Sequence, residues 1–506
     1  MNHKQWKAAQ SWAIIIFVVL WLLGLTVLGL TMTNGINHVT PTAVAQAATA
    51  APSLTPTQTP TPTPTETPTS TPTPTRTPTQ TPTPTETPTP TETPTPTPTT
   101  PPYSVLPEQP VWPTQDPNRS IPENPLPIPT PVYPVPVAAD AINIVVLGSD
   151  QRPEWNEWHT DAVHVVSIQR DRSAVSIISI PRDLYLYIPG FWMSRINFAD
   201  FYGASYGYPG GGPALVRDTL LYNLGIRVDY YVRTNFDGLI GIIDILGGVD
   251  IPVHCRLTDH WPYPDENGEY PILTMEPGVH HMDGETALWY ARSRRTTSVF
   301  SRERRQQQVL QAIWHRARDT GMISQIPALW QQSQDMIVTN MDIAGVLDLA
   351  PTAFMLQDQN VRFYNIGWGQ VTPWTTPNGG SVFLPQWENI EPVVREAMAP
   401  VPEARLARTY MPVEVWNGTP YQDWDVLAVD RLYRMGFPTS IAQPDRRDYA
   451  TTHIVVFSEY AKGTGVAYVQ QLFHIPDSQV IFEPNDTSPV SFRLVLGSDY
   501  QTCYQQ

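Results

Sequence analysis

The chain has 506 residues, 41% of them hydrophobic, with 31 basic against 47 acidic side chains and a formal net charge of −16. That balance leaves no domain-wide basic face to follow a phosphate backbone, which excludes general nucleic-acid binding. The length allows more than one core, but 55 prolines, about twice average usage, mark part of the chain as unable to build one.

Residues 1–10 contain Lys4 and Lys7, and residues 11–32 follow as an uncharged apolar run. Twenty-two such residues are enough to cross a hydrocarbon core of about 30 Å as a helix. Positive charge ahead of the run and none after it until Arg76 predicts a cytoplasmic N-terminus, a single membrane span and an extracytoplasmic body. A cleaved signal peptide is the alternative, although the run exceeds the usual apolar region of such peptides. Residues 33–139 read as a disordered stalk. Within it, residues 55–102 are a Thr-Pro repeat with no apolar side chains to bury. In polyproline II geometry about fifty residues extend on the order of 150 Å. A second Pro-rich stretch, 103–137, contains aromatics able to pack on whatever follows.

Folded sequence is expected from residue 140. AINIVVLGSD, AVHVVSI and AVSIISI are buried-strand runs. Gly210-Gly211-Gly212 opens a helical segment, VDYYVRTNF is a strand, and FDGLIGIIDILGG is a helix with a glycine stop. ETALWYARSR and RERRQQQVLQAIWHRAR are two more helices. The alternation predicts an α/β fold over residues 140–400, a layered α/β/α domain with a central mixed sheet. A second, smaller α/β domain is expected over 405–506. The two cysteines, Cys255 and Cys503, are too few for a disulfide framework or a cysteine zinc site. A single bridge between them is the alternative in an oxidising compartment, which spacing alone does not show, and the reading taken is that they have no structural role.

Three features carry chemistry. Asp150 and Asp161 lie at adjacent strand ends, where two carboxylates suit a hard cation such as Mg²⁺; each alternatively caps a turn. In SIPRDLYLYIPG, Pro181 ends ladder pairing, which leaves Arg182 and Asp183 at a strand end as a ligand group or a surface ion pair. The third is YARSRRTTSVFSRERRQQ, with six arginines in eighteen residues and Glu303 as its single acid. Arg292 and Arg294, two apart on extended backbone, would face the same way, and Arg302 and Gln306 share a helical face. A solvated helix face would mix both signs, whereas converging guanidinium forks match the oxygens of a diphosphate.

The series LGSD, TDAVHVVSI, SIPRDLYLYIPG, SRINFADFYG, VDYYVRTNFDGLIGIIDILGGVDI, MDGETALWYARSR and SRERRQQQVLQA resembles, in order and spacing, the LytR–CpsA–Psr family. VEVWNGT and LVLGSDY resemble the C-terminal domain often attached to it. The resemblance implies a membrane-anchored bacterial transferase that moves a glycopolymer from a polyprenyl-diphosphate carrier onto peptidoglycan, forming a phosphodiester with Mg²⁺ (or Mn²⁺). By motif, Asp150 and Asp161 match the metal-binding acids. Arg182, Arg195, Arg292, Arg294, Arg302 and Gln306 match the diphosphate contacts, and Asp161, Arg182, Arg292 and Arg294 are the expected catalytic set. Implied partners are the polyprenyl-diphosphate-linked glycan, peptidoglycan and the cytoplasmic membrane. Leu239, Ile240, Ile243, Leu246, Val309, Leu310 and Ile313 would line a slot for the lipid or pack in the core. The family's Asp-Phe-Gly-Arg is replaced here by Val299-Phe300-Ser301-Arg302, which removes an acid from the loop. A non-catalytic envelope scaffold or regulator that binds the same lipid or glycan is the rival reading.

Overall fold

The structure, a computed structural model, describes residues 112–116, 126–152, 154–321, 337–459 and 464–503. The expected membrane helix at 11–32 and the Thr-Pro repeat lie outside them. Among the described residues no helix is long and apolar enough to cross a membrane.

In chain order the first part runs β1 (Ala141–Ser149), β2 (Thr160–Gln169), β3 (Ala174–Ser179), and the pair β4 (Tyr185–Tyr187) and β5 (Met193–Arg195). Next come α1 (Ala199–Ser205), α2 (Gly211–Leu224), β6 (Tyr230–Asn235), α3 (Phe236–Ile245) and β7 (Val249–Val253). They lead to β8 (Leu257–His260), β9 (Ile272–Met275), β10 (Gly278–Met282), α4 (Gly284–Arg292) and α5 (Val299–Asp319). From residue 337 onward come β11 (Ile337–Thr339), α6 (Ile343–Met355), β12 (Val361–Asn365), β13 (Val371–Thr375), β14 (Ser381–Pro385), α7 (Trp387–Met398) and α8 (Glu403–Arg408).

The central sheet has the order β11-β6-β1-β2-β3-β12. Strand β1 pairs parallel with β6 and antiparallel with β2, and β3 pairs parallel with β12, so the sheet is mixed. The unbroken apolar run of β1 follows from burial on both faces. Ile144 and Val146 enter one core, with Ile243, Leu246, Val309 and Ile313 from α3–α5 and the segment just beyond α3. Val145 and Leu147 enter the other, with Leu215, Leu220 and Val394 from α2 and α7. Each fully buried side chain of this size contributes about 2 kcal/mol. Gly212 at the start of α2 has no room for a side chain, because a Cβ there would lie 2.1 Å from the Asp200 carbonyl oxygen.

The folded unit begins ahead of residue 140. Val135 and Val137 are buried in the second core, and the Val135 N–H donates to the Gly225 carbonyl at 2.9 Å. Alternate valines between prolines give this extended segment one apolar edge. The residues considered for a lipid slot are mostly core: Ile243, Leu246, Val309, Leu310 and Ile313 are buried, and Leu239 packs against them. Ile240 is half-buried.

The C-terminal part comprises β15 (Val413–Asn417), α9 (Trp424–Arg434), β16 (Thr439–Ala442), β17 (His453–Val456), α10 (Thr464–Phe473), β18 (Val480–Phe482) and β19 (Phe492–Leu496). Its sheet order is β16-β15-β19-β17-β18, over a core that includes Val415, Phe437, Phe492 and Leu494. Contrary to the sequence reading, the cysteines do have a structural role: Cys255, just past β7, is bonded to Cys503. Nothing local pairs residues 248 positions apart; the two cores bring them together. Beside the bridge His254 Nε2 meets Asp430 Oδ2 at 2.8 Å, and Arg405 donates to the Val361 carbonyl at 3.0 Å.

Candidate functional site

The expected site residues lie around the ends of β1, β3 and α4 and the start of α5. Register explains the first of them. Gly148 pairs with Ala162, but Ser149 pairs with Thr160, so Asp161 is the extra residue of a β-bulge. Such a bulge re-aims a side chain next to a site. Asp161 Oδ1 accepts from Arg182 Nη1 at 2.5 Å, and Arg294 Nη2 lies 3.8 Å from Oδ2. Arg182 also donates from Nε to Asp183 Oδ2 at 3.2 Å, and Arg195 Nη1 reaches Asp183 Oδ1 at 3.5 Å. Pro181 ends β3, so Arg182 and Asp183 occupy the turn between β3 and β4, and β5 returns Arg195 beside them.

The arginine-rich stretch is arranged differently from the expected alternation. Arg292 is the last residue of α4 rather than part of an extended pair, and its guanidinium stacks 4.3 Å over the Phe236 ring. A helix C-terminus favours a cation. Asp259, on β8, accepts from the Arg294 and Arg295 backbone N–H groups through Oδ2, which pins the loop. Arg305 closes it from α5, donating to the Tyr290 and Ser293 carbonyls and to Thr297 Oγ1. Ser298 caps α5 by accepting from the Ser301 N–H.

Arg302 then projects from the first turn of α5 and is 3% exposed. Burial, together with repulsion from Arg182 and Arg294, lowers its pKa to about 10. Burial and Arg182 likewise lower that of Arg294, whose side chain is 51% exposed. Burial favours the neutral form of Asp161, but Arg182, Arg302 and Arg294 outweigh it and hold the carboxyl below its ordinary range. The result is a group of cations around one carboxylate, with fewer acids than arginines. An anion would relieve that imbalance.

Two expected members stand apart from this group. Asp150 follows β1, where its Oδ1 accepts the His159 N–H at 2.6 Å. The His159 ring meets Phe198 edge-on at 4.7 Å, and Phe198 lies under Arg195. Gln306 turns beneath the site towards the Ala291 carbonyl at 3.5 Å. There the ring of buried His164 bonds Ser179 Oγ, which also accepts from Gln307 Nε2 at 2.7 Å. Burial lowers the His164 pKa to about 4, so the imidazole is neutral.

Asp150 and Asp161 flank the last β1–β2 pair, with side chains 15% and 16% exposed. Their carboxylate oxygens are the hard donors that Mg²⁺ or Mn²⁺ takes, and Arg182 already occupies Asp161 Oδ1. Among the described residues no group of three or more His, Cys, Asp or Glu offers a fuller cage.

Sequence reading missed Asp183 as the shared partner of two arginines, Asp259 as the loop anchor, and Glu303. The Arg-Asp dipeptide was the one available signal for Asp183. For Glu303 the signal was its place as the single acid among six arginines, and nothing local marks Asp259.

Fold and site together are those of an α/β protein with an arginine-rich cluster at one edge of its central sheet, and the comparisons name its family. The LytR_cpsA_psr family model matches residues 121–394, and the chain belongs to that family. Over 193 residues it is 32% identical to the polyisoprenyl-teichoic acid–peptidoglycan teichoic acid transferase TagT of Bacillus subtilis, covering 37% of this chain and 56% of the relative. Over 213 residues it is 30% identical to the regulatory protein MsrR of Staphylococcus aureus strain COL, covering 42% and 60%. The chain thus spans about 60% of the length of these relatives. A crystal structure of B. subtilis TagV aligns with a TM-score of 0.41 at 25% identity, covering 51% of this chain and 96% of that one.

Proposed function

We propose that this chain is a membrane-anchored extracytoplasmic transferase that moves a glycopolymer from a polyprenyl-diphosphate carrier to peptidoglycan or another wall acceptor. The observation that carries the reading is the meeting around Asp161 of Arg182, from the turn after β3, with Arg294 and Arg302, from the loop before α5 and its first turn. The TagT relative, a polyisoprenyl-teichoic acid–peptidoglycan teichoic acid transferase, agrees with it in the class of donor and in acceptor. The disulfide supports an oxidising compartment.

In this reading the arginines hold the diphosphate oxygens while an acceptor hydroxyl attacks the phosphorus that bears the glycan. The bond from that phosphorus to the bridging oxygen breaks, polyprenyl phosphate leaves, and the glycan is joined through a phosphodiester. Such transfer rests on alignment and charge neutralisation. Asp161, kept ionised by Arg182, is a weak base but a good hydrogen-bond acceptor. It orients the hydroxyl, and the proton ends on the departing phosphate, the stronger base. Asp150 and Asp161 would hold Mg²⁺ or Mn²⁺, which would neutralise charge on the diphosphate. With water as acceptor the same displacement is a pyrophosphatase side reaction.

The full chain in detergent, given a polyprenyl-diphosphate-linked glycan, a wall acceptor and Mg²⁺, should release polyprenyl phosphate. Asp161→Ala and Arg182→Ala should abolish release. Tight binding of the donor with no release under any condition would instead support the scaffold or regulator, the reading favoured by Val299, which stands at the start of α5 where the family has an acid.

A further inference from the structure

Glu303 is the one acid among the six arginines of residues 290–307, and it forms no ion pair with them among the described residues. It is 3% exposed, and neither carboxyl oxygen has a hydrogen-bond partner among the described residues. Its neighbour Arg302 is equally buried, with Nε also unpartnered. Gln307, one helical turn further along the same face, is fully buried and has an unpartnered Oε1.

An ionised carboxylate in that setting would leave a buried charge without donors, which costs several kcal/mol. A neutral carboxyl has a proton to donate, and Gln307 Oε1 is an acceptor one turn away. The charged groups that face Glu303 are Arg302 on its own helix and Asp183 on the turn after β3. Asp183 is itself paired with Arg182 and Arg195. The histidine in the floor below, His164, is neutral.

We infer that Glu303 is a positioning residue for the anion site: its protonated carboxyl leaves the Arg302 charge free for a diphosphate, and its ionisation cancels that charge. Burial, only partly offset by Arg302, agrees with this and pushes the carboxyl up to about 8. The inference rests on the diphosphate-binding reading above.

The sign is distinctive. Pyrophosphate gains negative charge as pH rises, which tightens binding to arginines. Ionisation of Glu303 acts in the opposite direction. The test is binding of inorganic pyrophosphate to the full chain in detergent between pH 6 and 9.5, for the wild type and for Glu303→Gln. Taking the ratio of the two dissociation constants at each pH removes the ligand's own titration. The ratio of wild type to variant should be near one at pH 6 and rise at least about tenfold by pH 9.5. That is the size expected for one charge roughly 10 Å from the phosphate at an effective dielectric constant of about 20. Glu303→Asp should keep a pH-dependent ratio.

A flat ratio, with both proteins binding pyrophosphate, overturns the role of Glu303 and leaves the anion site standing. No binding by the wild type at any pH overturns the transferase reading itself. A Glu303→Gln chain that cannot fold also contradicts the inference, because the amide reproduces the neutral acid's shape.

Discussion

Reducing the Cys255–Cys503 bridge should lower the stability of the protein by several kcal/mol while leaving the native arrangement in place. The cysteines are 248 residues apart. In the chain-entropy description, closing a loop that long restricts the unfolded chain by about 5 kcal/mol at 25 °C. That value is a ceiling, since a denatured chain keeps residual structure. A kcal/mol shifts the melting temperature of a domain of 150–250 residues by about 2–4 °C, so a drop on the order of 10 °C is expected. The contacts beside the bridge survive reduction: His254 with Asp430, Arg405 with the Val361 carbonyl, and Arg434 stacked 4.2 Å over Phe363. Circular dichroism at low temperature should therefore be unchanged. The assay is scanning calorimetry of the full chain in detergent, oxidised and reduced, beside the double variant Cys255→Ser/Cys503→Ser. An unchanged melting temperature on reduction, or two free thiols in the unreduced denatured chain, would refute the reasoning.

Arg292→Lys keeps the charge but loses both the planar fork and the stacking on Phe236. Its rate of polymer transfer should fall roughly tenfold, and a rate equal to wild type would count against a bidentate grip. Asp161→Ala removes the carboxylate that orders Arg182 and Arg294; turnover measured by polyprenyl phosphate release should fall at least about 100-fold. The Glu303 carboxyl is raised from an ordinary 4.5 to about 8, so its stabilising proton is fully present below the lower value and lost as pH rises through the upper one. Relative to Glu303→Gln, wild-type stability in urea should decline from about pH 4.5 to 8 by about 5 kcal/mol and then level off. A constant difference across that range would show an ordinary carboxyl. Asp430→Ala, which leaves Arg434 and His254 facing a void in a buried interface, should cost about 3–5 kcal/mol in the same measurement.

The strands were legible because their signal is local. AINIVVLGSD and AVSIISI are apolar on both faces, as a central strand must be, and they form β1 and β3. The helix of RERRQQQVLQAIWHRAR was legible from its period, and Ser298 as a capping residue sets its start. The site was legible as a set of residue types and much less as an arrangement. Alternation placed Arg292 and Arg294 side by side on extended backbone, but α4 continues through Arg292 because Trp289 and Tyr290 bury its last turn. Gln306 shares a helical face with Arg302, yet it bonds beneath the cluster rather than within it. A face defined by period does not say how deep each side chain sits.

By itself the sequence determined the two folded regions, the family-defining order of motifs and the excess of arginine over acid in one short stretch. Those follow from patterns that repeat within a few residues, where backbone geometry alone fixes which side chains share a face. The tertiary structure decided that Asp161 bulges out to meet Arg182, that Cys255 reaches Cys503, and that Glu303 is sealed away from water beside Arg302. Each of these depends on register and burial across elements far apart in the chain, and such couplings are fixed only when the cores pack.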